Sequence, residues 1–325
     1  MIIRLQRESS VVFGCVFTKF NATGSPLSRG RRAFVKHNCK HQLMIARRRT
    51  ALALMVPAST LVLVFLAMPL LLLLRYSLNR FVPGQFMVEA LTLDNYVKCI
   101  TDPYYFAVLK TTLLMAIGVT LACLVAGFPP ALYLARTTSR FKAVLILAVI
   151  LPLFVGNAVR AAGWMVAFGQ KGVFNYLLEL FVPTLAPLTI MYTPGAVFVG
   201  IIAVNLPFVV LTLQSVLEGI DRSSEEAALS LGATPFDAWR LVTLPLAVPG
   251  VLAAAVLCFI LTMNAYATPV LLGGPRFQMM APVVANEVLN QNNWPFGAAL
   301  SFMLMIVTLL LTVIANVVVV RRYAR

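Results

Sequence analysis

The chain has 325 residues, of which 60% are hydrophobic and only 11% are charged, whereas ordinary soluble domains are about 25% charged. A soluble core cannot hide that much apolar surface, so the sequence predicts a polytopic membrane protein. The formal net charge of +15 does not indicate a nucleic-acid-binding protein. The basic residues concentrate before residue 50 and at the ends of apolar runs, a distribution typical of membrane topology.

The N-terminal segment differs in composition from the rest of the chain. Residues 1–50 hold 11 of the 26 lysines and arginines, with Glu8 as the single acid, and they contain no sustained apolar run. We interpret residues 1–46 as a basic cytoplasmic tail. Met44 is followed by IARRRT and then by the first long apolar run. We therefore hypothesise that Met44 is the physiological start and that residues 1–43 are an upstream misreading or a disordered tail.

Residues 47–325 are predicted to form an all-α transmembrane domain. Each apolar run is close to the roughly 20 residues that a helix needs to cross a bilayer core. The predicted spans are 51–74, 106–135, 143–168, 190–217, 248–272 and 298–320. Prolines within or beside these spans favour helices that line a pathway, although each one alone is also compatible with a simple packing kink.

Lysines and arginines near the span ends predict the orientation. Arg47–Arg49 precede the first span, Arg136, Arg140 and Lys142 separate the second and third, and Arg321 and Arg322 follow the last. This bias places both termini in the cytoplasm. The opposite face also carries basic residues, but they are spread over longer loops with acids among them. The loop 218–247 then lies on the cytoplasmic side.

This loop contains the longest polar interruption in the second half of the chain, EAALSLGATPFDAWRLVTLP. Ser223 and Glu226 have the spacing of a capping box, which predicts a short helix from there. Gly232 is suited to the left-handed conformation that ends a helix. Thr234 and Pro235 then predict a second helix, as N-cap and first helical residue.

The second short helix carries Phe236, Trp239 and Val242 at helical spacing, and Pro245 is expected to end it. The loop is therefore predicted to be two short helices joined at a glycine. Ala227, Ala228 and Gly232 give it a small-residue face that another backbone can approach closely. The alternative is a loop that packs only on its own bundle.

Catalytic and cofactor motifs are missing from the sequence. It contains no GxxxxGK[ST], no HExxH and no GxSxG, so it lacks its own phosphate-binding loop and the usual hydrolase signatures. Both histidines, His37 and His41, precede the first span, and the five cysteines have no metal-binding spacing. We predict a protein that is not an enzyme and holds neither cofactor nor metal. If ATP is used, a partner must bind it.

A few polar side chains fall within or near the spans and are candidates for lining a substrate pathway. The candidates are Arg160, Trp164, Asn205, Asn264 and Tyr266. A charge at mid-membrane is costly unless it faces the bundle interior or a cavity. Arg160 has the alternative of snorkelling to the outer interface, and the asparagines have the alternative of hydrogen bonding between helices.

The polar loop resembles the EAA motif of ABC-transporter inner-membrane permeases of the binding-protein-dependent, MetI-like class. The residues that carry this resemblance are Glu226, Ala227, Ala228, Gly232, Ala233, Trp239, Leu244 and Pro245. Trp239 stands where the family often has phenylalanine. The stretches LPLFVGNAVRAAGW, AYATPVLLGG and WPFGAALS narrow the resemblance to the spermidine/putrescine subfamily. It covers residues 45–325, and residues 1–43 have no counterpart.

The resemblance implies a six-helix permease subunit of an importer in the bacterial inner membrane. It also implies a second permease subunit, two cytoplasmic ATPases that bind the ATP, and a periplasmic solute-binding protein. In this family the EAA loop is a coupling helix that rests in a groove on the ATPase. The implied role of Glu226, Ala227, Ala228, Gly232, Ala233, Trp239 and Pro245 is thus to couple ATP hydrolysis to the membrane helices.

The substrate is less firmly indicated than the class of protein. A polyamine should prefer acids and aromatic faces, yet the spans hold almost no acid and Arg160 would repel a polycation. An amino-acid derivative or another small organic solute is therefore an alternative cargo. An ion-coupled secondary transporter is the alternative mechanism, but it would be expected to place acids at mid-span.

Overall fold

The computed structural model describes residues 55–57, 59–82, 84, 87–181, 188–275 and 277–323, with side chains as far as residue 317. The chain divides into two compact units, Met1–Leu72 and Leu73–Arg325. In the first unit the description starts at residue 55 and comprises the beginning of helix α1 (Met55–Ser77). The predicted tail 1–46 and the hypothesis about Met44 lie outside the described residues.

The second unit is built from helices. In chain order they are α2 (Asp94–Thr101), α3 (Pro103–Arg136), α4 (Lys142–Ile150), α5 (Asn157–Phe168), α6 (Val173–Phe181), α7 (Pro194–Glu218), α8 (Arg222–Ser230), α9 (Pro235–Met263), α10 (Met280–Leu289) and α11 (Trp294–Tyr323). Among the described residues one isolated β-bridge, Arg80 to Val88, accompanies them. The prediction of an all-α fold is confirmed.

The two long helices that start the core are capped as their sequences dictate. Asp102 accepts a hydrogen bond from the backbone N–H of Tyr104 at 2.9 Å, with Pro103 as the first residue of α3. Thr193 accepts one from Ala196 N–H at 3.2 Å ahead of α7. A side-chain cap followed by proline satisfies an otherwise free amide and presets the helical φ angle. Both starts lie within four residues of the predicted ones.

Helices α3, α7 and α9 pack against one another and form the centre of the unit. Small residues allow the close approach: a Cβ on Gly250 of α9 would come within 2.3 Å of Val216 of α7. A Cβ on Gly127 of α3 would meet Val209 at 3.1 Å. Glycines at such crossings are typical of membrane helix packing, where van der Waals contact replaces the hydrophobic effect.

The predicted third span, 143–168, contains a sharp bend in the structure. The helical segments Lys142–Phe154 and Asn157–Phe181 are bent by 95°. Pro152 cannot continue the helical hydrogen bonding, and the chain passes through a 3₁₀ turn to an extended Gly156 before α5 begins. Five helices of the described residues are long and apolar enough to cross a bilayer, or six if the bent pair is one crossing.

The fifth span is also shifted. Pro245 was expected to end the second short helix of the loop, and this is wrong: α9 runs without interruption from Pro235 to Met263. A π turn over Trp239–Thr243 closes with Leu244 N–H bonded to Trp239 C=O, five residues back. Because the π turn contains an extra residue, the regular hydrogen-bond pattern is already interrupted where Pro245 lacks an N–H. The helix therefore continues beyond this proline.

Candidate functional site

The loop between α7 and α9 begins with an N-cap that the sequence analysis placed wrongly. Asp221, not Ser223, caps α8, and its carboxylate accepts a hydrogen bond from Ser223 N–H at 3.0 Å. That backbone hydrogen bond holds the pKa of the Asp221 carboxyl below its ordinary value. Glu226 is therefore free of a capping role, and it is exposed.

The end of α8 agrees with the predicted glycine joint. Gly232 has a φ of +89°, a conformation that glycine adopts without the penalty other residues meet. Ala233 N–H donates to Ala228 C=O at 3.1 Å and Gly232 N–H donates to Leu229 C=O at 3.0 Å. This pair of hydrogen bonds is the Schellman motif, which satisfies the last carbonyls of the helix.

The chain then restarts as a helix directly after the glycine joint. Thr234 is the N-cap of α9: its hydroxyl accepts from Asp237 N–H at 3.2 Å and lies 2.6 Å from the Asp237 carboxylate. Pro235 is the first helical residue. Two caps and one Schellman motif therefore fix the turn between α8 and α9 through local contacts alone.

The side chain that fastens α8 to the bundle is Glu225, which the sequence analysis did not single out. Its carboxylate pairs with the Arg136 guanidinium at the end of α3, at 2.6 Å. It also accepts a hydrogen bond from the Thr243 hydroxyl in the π turn of α9. Both ionic side chains are mostly buried, at 19% and 25% exposed. Glu225 therefore links three helices at one point.

Further polar contacts surround this point. The Arg136 guanidinium also donates to Ile220 C=O at 3.3 Å, and Arg222 donates to the backbone carbonyl of Arg136. One turn away, Lys142 of α4 pairs with Glu218 at 2.7 Å. Exposed ion pairs contribute little alone, but a network that joins α3, α4, α7 and α8 restricts the loop to one position on the bundle.

Trp239 contacts the bundle through its ring. The ring lies edge-on against Phe128 of α3 at 6.0 Å between centroids, and 5.6 Å from Phe236. Phe236 itself is 62% exposed, so it contributes less to this contact than its helical spacing with Trp239 suggested. Pro245, within α9, is exposed.

The opposite side of the loop is open and partly apolar. Ala227 is exposed beside Glu226, while Ala228 and Ala233 are half-buried. Large apolar side chains continue this surface: Leu231 is 89% exposed and Leu229 is 44% exposed. We call Glu226, Ala227, Leu229, Leu231 and Phe236 the loop face. The loop face is a partly apolar surface on a loop that Glu225 holds against the bundle. Another protein can cover such a surface.

The predicted pathway residues lie in different surroundings in the structure. Arg160 donates to Asn157 Oδ1 at 2.6 Å, while its Nε and Nη1 atoms are buried and have no hydrogen-bond partner among the described residues. Its guanidinium therefore does not reach fully into solvent. Trp164, one turn along α5, stacks on Phe168 at 5.0 Å between centroids. That places Trp164 in an aromatic cluster of the core.

Asn205 lies at a helix contact in the core. It is 3% exposed, and its amide donates from α7 to the Thr262 hydroxyl of α9 at 2.8 Å. This geometry favours the alternative of a hydrogen bond between helices. Asn264 and Tyr266 differ from it because both are exposed and each lines a groove, of about 510 Å³ and about 460 Å³ respectively. The structure thus brings none of the other predicted pathway residues to Asn205.

Replacing Asn205 with alanine is expected to lower the stability of the helix bundle by about 1 kcal/mol, the usual size of a hydrogen bond between membrane helices. Substrate uptake should persist, because the side chain is buried between α7 and α9. The thermal unfolding midpoint of the protein in detergent measures the loss. Asn264→Ala is the matched control, since Asn264 is exposed and bonds within its own helix. Equal midpoint shifts in the two variants would contradict this role.

The comparison with known proteins agrees with the fold. Residues 115–324 match the family described as "Binding-protein-dependent transport system inner membrane component". The chain is 35% identical to the spermidine/putrescine transport system permease protein PotB of Escherichia coli over 75% of its own length and 88% of that protein. It is 33% identical to PotB of Haemophilus influenzae over 76% of its length and 86% of that protein.

Among solved structures, a bacterial ABC transporter involved in the import of the acidic polysaccharide alginate shares the fold. The match has a TM-score of 0.68, covers 87% of this chain and 99% of the other, and has 20% identity. The match therefore supports the fold and carries no information on the cargo. The chain belongs to the family of binding-protein-dependent transport system inner-membrane components, and it is a multi-pass permease subunit of an ABC importer in the bacterial inner membrane.

Proposed function

We propose that this permease subunit imports a polyamine such as spermidine or putrescine, driven by a separate ATPase that docks on the loop face. The proposal that an ATPase docks here rests on one combination of features. The loop exposes an apolar surface, and the ion pair of Glu225 with Arg136 holds the loop against the bundle. A loop that packed only on its own bundle would have no need to expose Leu231 and Phe236. The identity with the two PotB proteins supports the polyamine.

The orientation follows from charge. The end of the bundle that carries the loop also gathers Arg136, Arg140, Lys142, Arg222 and Arg240. Basic residues are enriched on the cytoplasmic side of membrane proteins. We therefore place the loop face in the cytoplasm with both termini, where ATP is available, and the connection between α9 and α11 on the periplasmic side.

The partners follow from what the chain lacks. The sequence has no phosphate-binding loop, so ATP must be bound by another subunit. A short, preformed helix with a small-residue flank can be laid into a groove of that subunit. We propose two cytoplasmic ATPases, a second permease subunit that completes the pathway, and a periplasmic solute-binding protein that delivers the cargo.

Uptake in cells provides the test. The complete transporter is expressed in a bacterium that lacks its own polyamine uptake, and the entry of labelled putrescine and spermidine is measured with and without this chain. We expect uptake that requires this chain and is outcompeted by unlabelled polyamine but not by a neutral amino acid. ATP-dependent uptake of another solute, with no polyamine entry, would retain the importer and overturn the polyamine.

A further inference from the structure

A second groove lies at the end of the bundle opposite the loop. It has a volume of about 460 Å³, within the range of small-molecule sites. Its polar lining consists of Tyr104, Tyr266, Gln278, Asn286 and Asn290, and we call it the tyrosine groove. Helix α3 begins beside it and ends at the Glu225 ion pair, and its 34 residues measure about 51 Å at the helical rise.

Among the described residues, the lining offers rings and oxygen atoms instead of cations. Tyr104 and Tyr266 are each about half exposed, so their ring faces are open to a ligand. Asn290 donates to Asn286 Oδ1 at 2.8 Å, and among the described residues the amide oxygen of Asn290 accepts no hydrogen bond. Ring faces attract ammonium groups through their quadrupole, and phenol and amide oxygens accept their N–H bonds.

A buried carboxylate lies directly behind this lining. Glu287 follows Asn286 in α10, is only 4% exposed, and accepts a hydrogen bond from the Tyr105 hydroxyl at 2.9 Å. The Tyr105 ring in turn contacts Tyr104 edge-on, at 5.0 Å between centroids. A buried charge is screened much less by salt than an exposed one. Glu287 therefore makes the neighbouring groove electronegative although it does not line it.

Lys98 is a basic residue that lies against the rings of Tyr105 and Phe296, next to Glu287. The Lys98 ammonium is 4.6 Å from the centroid of the Phe296 ring and 6.0 Å from that of Tyr105. Lys98 is exposed, so solvent screens its charge more than that of Glu287. Its position also shows that an ammonium group can be seated against the aromatic rings of this cluster.

We propose that the tyrosine groove is a subsite for an ammonium group of the cargo at the mouth through which it enters. The ammonium is contacted by the rings of Tyr104 and Tyr266 and by the side-chain amide oxygen of Asn290. Glu287 supplies the attractive charge. This inference rests on the proposed function, because it assigns the cationic cargo a place. The subsite also explains how a cation could be attracted although the spans carry almost no acid. The attractive negative charge is that of Glu287 in α10, at the entrance of the pathway.

Charge-selective labelling tests the subsite without knowledge of the cargo. Leu289→Cys, at an exposed position that lines the groove, is introduced into the assembled transporter, with Cys15 and Cys39 replaced by serine; Cys99, Cys123 and Cys258 are buried. The labelling rates of a trimethylammonium and a sulfonate methanethiosulfonate reagent are compared. We expect the cationic reagent to be favoured and Glu287→Gln to lower the ratio of the two rates on the order of fivefold.

Two controls separate charge from structure. Tyr105→Phe removes the hydrogen bond to Glu287 but keeps the carboxylate, so the rate ratio should stay high. Glu287→Gln removes the charge but keeps an amide oxygen that can accept this hydrogen bond. Lys98→Gln removes an opposing charge and should raise it. An unchanged ratio in Glu287→Gln, or an equal fall in Tyr105→Phe, would overturn the subsite. All variants retain Arg276, which lies outside the described residues, so it contributes equally to each comparison.

The labelling and uptake results together distinguish a failure of the subsite from a failure of the proposed polyamine cargo. Spermidine should slow the labelling of Leu289→Cys when Glu287 is present and have less effect when Glu287→Gln is added. A high cation ratio together with uptake of a different cationic solute supports the subsite and overturns the polyamine. Polyamine uptake together with a labelling-rate ratio that Glu287→Gln leaves unchanged supports the proposed cargo and overturns the subsite.

Discussion

Glu225→Gln is expected to lower the stability of the folded permease by about 2 kcal/mol and to abolish most substrate uptake. The carboxylate is held by Arg136 and Thr243, and hydrogen bonds to charged groups contribute about 1.5–3 kcal/mol each. Its loss leaves the mostly buried Arg136 without its ionic partner, which adds to the cost. Thermal unfolding of the purified permease and uptake by the whole transporter measure the two effects.

The neighbouring acid provides a matched control for this substitution. Glu226 is exposed, so Glu226→Gln should change the stability of the isolated permease by no more than about 0.5 kcal/mol. If the loop face docks on the ATPase, that variant should reduce uptake and stimulated ATP hydrolysis while the permease stays folded. Equal destabilisation by the two substitutions would contradict the assignment of Glu225 as the fastening residue.

The local features of the loop could be predicted from sequence because neighbours determine them. Gly232 has the positive φ that its position indicated, and Thr234 with Pro235 starts α9 as their order predicts. The N-cap was misplaced by two residues, because Asp221 and Ser223 are both good caps and spacing alone favoured Ser223. A sequence pattern ranks such competing caps poorly.

The fastening of the loop could not be predicted, since it depends on residues far apart in the chain. Glu225 and Arg136 are 89 residues apart, and no periodicity connects them. The bend in the third predicted span and the earlier start of the fifth both occur at prolines. Pro152 accompanies a 95° bend, whereas Pro245 is absorbed by a π turn. The outcome at each proline depends on packing that a single sequence does not contain.

Asn264 and Tyr266 illustrate how far the pathway prediction reached. Both were singled out as neutral polar residues of the fifth predicted span, and both line grooves. Asn205 has the same chemistry but is buried in a hydrogen bond to Thr262. Residue type thus identified polar positions, and only the helix packing separated the exposed ones from the buried one. Glu287 could not be singled out from the sequence, because its burial comes from the contact of α10 with α3.

Gly232→Val is expected to uncouple transport while the protein still inserts in the membrane. No atom lies within 4 Å of a Cβ built at this position, so the penalty is conformational and not steric. The φ of +89° is a genuine outlier for a β-branched residue, and left-handed conformations cost ordinary residues about 1–2 kcal/mol. The variant is expected to relieve this strain by changing the turn, which shifts Leu231 and α8 relative to α9.

Gly232→Asn is the matched control, because asparagine tolerates positive φ far better than valine does and the open space admits its side chain. It should keep most of the uptake that Gly232→Val loses, although both variants add bulk at the same point. Membrane content by immunoblot, uptake of the cargo and stimulated ATP hydrolysis distinguish loss of coupling from loss of protein. Equal loss of uptake in both variants would place the requirement at a close contact with a partner. Wild-type uptake in Gly232→Val would show that the joint between α8 and α9 need not keep this turn for the loop face to transmit motion.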